Sequence, residues 1–216
     1  MAFKLFELVG AYRKYDPATK SSAEILLLYP GIRAQCLHAT AHVLYKWGVP
    51  FLPRFITEIG RFLTGIDIHP GATIGRRVIM DHGSGIVIGE TAVVHDDVLI
   101  YQGVTLGGTS LERSKRHPTI ESHCVLGSGA KILGNIVVGE GSRVGANSVV
   151  VKSVPPASTI VGVPGRIVQT GGGVHKGEEL DHGRLPDPLN QRCQDLEARL
   201  AALESRLALA PPSDRA

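Results

Sequence analysis

Aliphatic residues recur at every sixth position through the middle of this chain. Ile120, Leu126, Ile132, Val138, Val144 and Val150 make an unbroken series, and Ile68, Ile74, Met80 and then Ile88, Val94, Ile100 and Leu106 keep the same step before it. The residue after each is often glycine (Gly75, Gly89, Gly107, Gly127, Gly139, Gly145). Four places on comes a small or branched one (Ala72, Ala92, Cys124, Ala130, Ser142, Ser148). A step of six matches neither a helix, with about 3.6 residues per turn, nor an ordinary strand with its two-residue alternation. It predicts a parallel β-helix, three short strands to a coil of about 18 residues, with the aliphatic side chain inside and glycine at the corners. The chain from Ile68 to Ile160 supplies about five such coils.

The known form of such hexapeptide folds is left-handed. That sense is expected here, although the spacing does not set it. The register breaks twice. Met80 to Ile88 is a step of eight, so two residues are inserted around Asp81-His82-Gly83. Leu106 to Ile120 is a step of 14, and the extra length, Gly107 to Pro118, must leave the coil as a loop. Repeat folds accept insertions on one face, often the binding face.

The flanks follow other patterns. Phe3, Phe6, Leu8, Val9 and Tyr12 have helical spacing. Asp16-Pro17 reads as an N-cap and first helical position of a helix reaching about Leu28, which Pro30-Gly31 ends. A second helix is expected from Ile32 to Trp47 with Gly48 as its C-cap. A third, Pro53 to Leu63, puts Phe55, Ile59, Phe62 and Leu63 on one face. Beyond the glycine linker 171–173, Leu189, Cys193, Leu196, Leu200, Leu203, Leu207 and Ala210 alternate steps of four and three, an a/d heptad seam. Packing on its own chain and trimeric self-association are both open for that helix. The expected organisation is thus a small α-helical domain (1–64), a left-handed β-helix (65–168), and a linker with a C-terminal heptad helix (169–216).

Composition sharpens the boundary near residue 64. Twenty of 26 glycines lie between Gly65 and Gly173, whereas ten of eleven aromatics precede residue 63. From Ile66 to Val168 there are 29 Ile or Val against five Leu, the β-branched bias of buried parallel strands. A net charge of +3 gives no case for nucleic-acid or polybasic membrane binding. Three scattered cysteines form neither a disulfide framework nor a Cys-x-x-Cys site. With no signal peptide and no run of 18 apolar residues, a soluble cytoplasmic protein is expected.

The chemistry-bearing side chains cluster at the two breaks: Asp67 and His69 at the start of the β-helix, Asp81-His82 in the first insertion, Arg116-His117 at the base of the loop. A histidine beside a carboxylate can serve as a general base, and an arginine can grip a carboxylate with two prongs. Each also has an ordinary reading, since aspartate caps turns and surface histidines are common. His38 and His42 have an i, i+4 metal spacing but no evident acidic partner, which favours packing or exposure. His117 and His123 invite comparison with the paired histidines of a γ-class carbonic anhydrase, but the long loop beside them weighs against it. No metal site is expected. A trimeric scaffold without catalysis is a further alternative.

Asp67-Ile-His-Pro-Gly-Ala, Met80-Asp-His-Gly-Ser-Gly-Ile-Val-Ile-Gly-Glu-Thr, Gly103-Val-Thr-Leu-Gly-Gly-Thr, Arg116-His-Pro and Val161-Gly-Val-Pro-Gly-Arg-Ile-Val together resemble the serine O-acetyltransferases, over roughly Tyr12 to Val168. The resemblance implies acetyl transfer from acetyl-CoA to the hydroxyl of L-serine, the first step of cysteine synthesis. Acetyl-CoA is then a co-substrate and there is no permanently bound cofactor. It implies His82 as general base, Asp67 orienting it, and a backbone N–H near Gly108 holding the oxyanion. Arg116 would take the serine carboxylate, with Asp16 and Asp81 on the amino-group side and His117 completing the pocket. The CoA arm would run between two subunits near Gly108, Thr109, Ser128, Gly129 and Ala146, with Lys152 and Arg166 as phosphate partners. L-cysteine is expected as a feedback inhibitor. The short helical part makes a homotrimer as open as a dimer of trimers. Long members end in an isoleucine that enters O-acetylserine sulfhydrylase. This chain ends Ser213-Asp-Arg-Ala216, so the resemblance gives little ground for that complex. Another hexapeptide acetyltransferase, acting on a sugar or an antibiotic hydroxyl, is the alternative within enzymes, and the Arg116 and Asp81 pair argues against a neutral acceptor.

Overall fold

A computed structural model describes residues 2–171 and 188–208, which fall into two units: one with four helices and a β-solenoid, the other a single helix. The helices of the first unit are α1 (Ala2–Tyr15), α2 (Ser22–Leu28), α3 (Pro30–Lys46) and α4 (Leu52–Thr64). Asp16-Pro17 does not open α2 as expected. Asp16 instead closes a turn, its Oδ1 accepting the Ala18 N–H at 2.8 Å. The N-cap is Ser21, whose Oγ accepts the Glu24 N–H at 3.1 Å while Glu24 Oε2 accepts the Lys20 N–H at 3.0 Å. The first bond satisfies an N–H that helix geometry leaves free, and the second ties down the residue before the cap. Pro30 breaks α2 and itself starts α3, where a missing N–H costs nothing. The expected apolar face of α4 points outward: Phe55, Ile59, Leu63 and, at 89% exposure, Phe62 face solvent. Thr57, Gly60 and Thr64 are the buried side, because the bare Gly60 lets α4 approach Leu37 of α3 closely.

Fifteen strands follow, numbered in chain order. The first sheet stacks β1 (Asp67–Ile68), β4 (Val87–Ile88), β7 (Thr105–Gly107), β10 (Lys131–Leu133) and β13 (Val149–Val150). The second stacks β2 (Thr73–Ile74), β5 (Val93–Val94), β8 (Thr119–Ile120) and β11 (Val137–Val138). The third stacks β3 (Ile79–Asp81), β6 (Leu99–Tyr101), β9 (Val125–Leu126), β12 (Arg143–Val144), β14 (Ser158–Val161) and β15 (Arg166–Thr170). All pairings are parallel except β14 with β15. The six-step series is the register itself: Ile68, Ile88, Leu106, Ile132 and Val150 are successive partners. Those five and the four-on residues, Ala72 to Ser148, are all buried, and the second and third sheets add their own columns, Val94, Ile120 and Val138, and Met80, Ile100, Leu126, Val144 and Ile160. Both breaks are accommodated without slipping this register. A third, unexpected one follows Val150, where Val154 bridges Val138 after only four residues and Ile160 resumes the column.

The helices are joined to the first coil by side chains bonding its backbone. The Tyr12 hydroxyl donates to Met80 O (3.1 Å) and accepts from Met80 N (2.8 Å). Gln35 Nε2 donates to Val78 O (3.0 Å), His42 Nδ1 meets Pro70 O (2.7 Å), and Thr64 Oγ1 accepts from Ile66 N (3.2 Å). His38 is packed beneath them, beside Ala34, Ile66 and Ile68. The second unit is α5 (Pro188–Ala208). Most of the glycine linker, and Ala210 of the heptad seam, lie outside the described residues.

Candidate active site

The corner between the third and first sheets is a ladder of left-handed residues. Gly85, Gly103, Gly129 and Asn147 all have positive φ, and each N–H bonds a carbonyl of the coil before, at Gly65, Ser84, Gln102 and Ser128. Glycine suits such a position because it lacks the Cβ that collides there. The two-residue insertion sits at the top of this ladder. His82 has φ +57 and Gly83 +74, so the chain turns sharply and throws the imidazole outward, its side chain 73% exposed. Arg77, Asp97, His123 and Asn147 share that conformation at other turns, so what sets His82 apart is its exposure beside Asp81.

One carboxylate contacts that imidazole, and a second lies within its field. Asp81 Oδ1 accepts the His82 N–H at 2.9 Å, and Asp81 Oδ2 lies 3.8 Å from His82 Nε2. The Tyr15 hydroxyl donates to Asp81 Oδ2 (3.1 Å) and meets the Tyr101 hydroxyl at 2.9 Å. Asp16 receives the Tyr29 hydroxyl, which holds its carboxyl below the usual range, and the field of His82 adds to that. The same bond pushes the Tyr29 phenol up to about 12. Asp67 lies on β1, two residues past Gly65 of the same corner. Among the described residues no hydrogen bond or ion pair joins it to His82.

The corner between the first and second sheets carries the other group. The loop 108–118 leaves and re-enters there, and Thr91 pins its base. Thr91 Oγ1 accepts the N–H groups of Arg116 (3.0 Å) and His117 (3.1 Å), and Thr91 O accepts Lys115 Nζ (2.6 Å). Arg116 NH2 donates to Glu90 Oε2 at 2.5 Å, and Glu90 Oε1 receives the Tyr45 hydroxyl at 2.9 Å. These two donors hold the Glu90 carboxyl below its ordinary value, the arginine contributing most. The Thr91 N–H donates to His117 Nδ1 (3.2 Å), which makes Nδ1 an acceptor. A neutral His117 therefore carries its proton on Nε2. Burial lowers its pKa and keeps it neutral. The ring lies against Gly89 and Gly108, where a Cβ on Gly89 would sit 2.0 Å from it. Beneath the loop Glu90, Thr91, Lys115 and Arg116 help line a cavity of about 780 Å³.

The structure therefore brings Asp16, Asp81 and His82 together, with Asp67 on the same corner, and Arg116 with His117 on another, the first sheet lying between. The candidate CoA residues divide the same way. Ser128, Gly129 and Ala146 lie on the histidine corner, Gly108, Thr109 and Lys152 on the loop corner, and Arg166 on β15.

Comparison with known proteins bears on this arrangement. Residues 117–152 match the family model for bacterial transferase hexapeptide (six repeats). A serine acetyltransferase of Bacillus pumilus is 48% identical over 210 residues, covering 96% of each chain. The chain belongs to the serine acetyltransferase family. A crystal structure of serine acetyltransferase from Brucella abortus in complex with coenzyme A is 43% identical, with a TM-score of 0.75, covering 79% of this chain and 68% of that one. Another solved structure, a serine acetyltransferase complex with cysteine, is 41% identical, with a TM-score of 0.76, covering 78% and 66%.

Beside the residues that the family resemblance indicated stand four that sequence reasoning missed: Thr91, Glu90, Tyr45 and Tyr29. Glu90 and Thr91 fall in the quoted segment after His82 but read as corner residues. Their partners come from far along the chain, Arg116 and His117 by loop closure across 25–26 residues and, for Glu90, Tyr45 from α3 as well. Tyr45 had one available signal, as a polar aromatic at an exposed step of a helix that must dock on an aliphatic solenoid. Tyr29, half-buried between α2 and α3, offered none.

Proposed function

We propose that this chain transfers the acetyl group of acetyl-CoA to the hydroxyl of L-serine, giving O-acetyl-L-serine and CoA, the first step of cysteine biosynthesis. The observation that carries the reading is His82, thrown out of the coil beside the Asp81 carboxylate and within the field of Asp16. His82 takes the serine hydroxyl proton as the oxygen attacks the thioester carbonyl. The C–S bond breaks as the tetrahedral intermediate collapses, and the imidazolium returns the proton to the CoA sulfur. Asp67, on the same corner, orients the imidazole and stabilises its charged form. A backbone N–H near Gly108 holds the oxyanion. Arg116, held by Glu90, binds the serine carboxylate, and Asp16 and Asp81 face the amino group. His117 acts as an Nε2–H donor rather than a second base.

The two groups occupy different corners of one solenoid, so the complete site is built between copies, the histidine corner of one against the loop corner of the next. A homotrimer closes this arrangement with three equivalent sites. The CoA arm then runs between Ser128, Gly129 and Ala146 of one copy and Gly108, Thr109 and Lys152 of the other. The helical domain 1–64 contributes Asp16, the β-helix 65–168 the remainder, and 169–216 none of it. L-cysteine, with a thiol in place of the hydroxyl, fits the same pocket as an inhibitor. No helix among the described residues is long and apolar enough to cross a membrane, and the three cysteines are free, which supports a cytoplasmic setting. The test is CoA-thiol release from acetyl-CoA with L-serine, L-homoserine or a galactoside. Release that depends on L-serine and is suppressed by L-cysteine is expected. Release with the galactoside alone would discard the serine pocket.

A further inference from the structure

Helix α5 exposes its apolar seam. Leu196, Leu200 and Leu203 are each more than half exposed, and Cys193 is exposed as well. The seam is narrow. With Cys193 and Leu200 at a, and Leu196 and Leu203 at d, the b, c and f positions hold Gln194, Asp195, Ala198, Ala201, Ala202 and Ser205. A two-in-seven stripe is the pattern of a coiled-coil seam rather than of a helix lying on a broad core.

The flanking charges decide the partner. Every g position is arginine (Arg192, Arg199, Arg206), and both described e positions within the seam, Glu197 and Glu204, are glutamate. In a parallel pair in register, a g residue meets the e residue five places on in its neighbour. Arg192 then meets Glu197, and Arg199 meets Glu204. In an antiparallel pair g meets g and e meets e, which sets arginine against arginine and glutamate against glutamate. Like charges there disfavour the pairing.

We infer that α5 is a parallel, in-register self-association element that pairs with the same helix of other copies of this chain. The inference rests on the reading above that copies associate through their catalytic bodies. A helix of 21 residues is too short to hold copies together strongly by itself. Copies already joined by the solenoids present their tails to one another at high effective concentration. Equivalent helices that meet along the axis of a cyclic trimer run in the same direction.

Cys193 reports the geometry in the full-length protein. In register, equivalent a positions face one another, so mild copper–phenanthroline oxidation should join two copies by a Cys193 disulfide, two thiols yielding two protons and two electrons to oxygen. In a Cys36→Ser background, where the remaining thiol Cys124 is buried, this band should be lost in Cys193→Ser. With Cys193→Ser, moving the thiol to the outward f position as Ala198→Cys should slow joining about tenfold or more. Glu204→Arg should slow the Cys193 reaction and Arg199→Glu/Glu204→Arg should restore it. Equal rates at positions 193 and 198, or no joining at 193, would overturn the inference. Light scattering on the unoxidised protein separates the two readings. A monomeric mass removes the assembly on which both depend, whereas an oligomeric mass with no preference for position 193 removes only the role of α5.

Discussion

Gly89→Ala is the perturbation that most directly probes how His117 is held. The backbone at Gly89 is not left-handed, so alanine is acceptable there on conformational grounds. Space is what forbids it. Its Cβ would lie 2.0 Å from His117 Cδ2 and 2.1 Å from Nε2. Carbon contacts settle near 3.5–4.0 Å, so the ring must retreat by about 1.5 Å or swing out. Retreat breaks the bonds of Nδ1 to the Thr91 amide and hydroxyl, at 3.2 and 2.9 Å. At about 1 kcal/mol each this costs roughly 2 kcal/mol of stability. A displacement of about 1 Å in a residue facing substrate lowers kcat/KM for serine by up to a hundredfold. The assay is a double-mutant cycle, with thermal unfolding and serine-dependent thiol release measured on wild type, Gly89→Ala, His117→Ala and the double variant. Without the ring the alanine methyl has room, so the double variant should be no worse than His117→Ala alone. Costs that simply add, or a Gly89→Ala enzyme with unchanged stability and activity, would refute the account of the loop corner.

Other expectations follow from the same geometry. Ile132→Ala, which empties a fully buried core position, should destabilise the chain by about 2–5 kcal/mol in chemical denaturation. A loss below about 1 kcal/mol would mean that the column is not close-packed. His38 is held neutral by burial, its pKa down to about 4 from the usual 6.5. The unfolded chain takes up that proton first, so this contribution to stability is complete above pH 6.5 and lost as the pH falls towards 4. At full effect it is on the order of 3 kcal/mol. His38→Leu should flatten stability across that window, and an unchanged slope in the variant would contradict it. His82→Ala should abolish transfer while leaving the melting temperature intact, because the ring is mostly exposed. Arg116→Ala should raise KM for serine far more than KM for acetyl-CoA, and equal rises would remove it from the carboxylate site.

The core was legible because burial in a narrow solenoid leaves one side-chain choice per strand, and Ile68 to Val150 spell it out. The third break at Val154 was not, because a shortened coil ending in prolines has no aliphatic gap to count. The Asp16-Pro17 turn was misread for a related reason: an aspartate before proline satisfies a turn as well as a helix start, and Tyr29, 13 residues away, settles the choice. In α4 periodicity found the apolar face correctly, but it cannot say which way a face points. Gly60 and the need for close approach to Leu37 turned it outward. The site residues His82 and Arg116 stood out because they interrupt a repeat. Glu90 and Thr91 do not interrupt it, and their partners arrive only when the loop and, for Glu90, helix α3 fold against them.

The solenoid's two ends have a consequence for growth. A stack of parallel coils is a template without an intrinsic stop, since its last strands offer the same bare amides and carbonyls as those inside. At the first coil the groups of Ile66, Pro70, Val78 and Met80 are taken by Thr64, His42, Gln35 and Tyr12. At the last, β15 reverses direction along β14, and the Gly165 N–H takes the Val149 carbonyl. Each end is thereby covered in part, and β15 becomes the new edge strand of the third sheet. The helices and the terminal hairpin thus work as chain terminators, and a truncation at residue 161 should leave sticky ends that polymerise before any loss of core packing is felt.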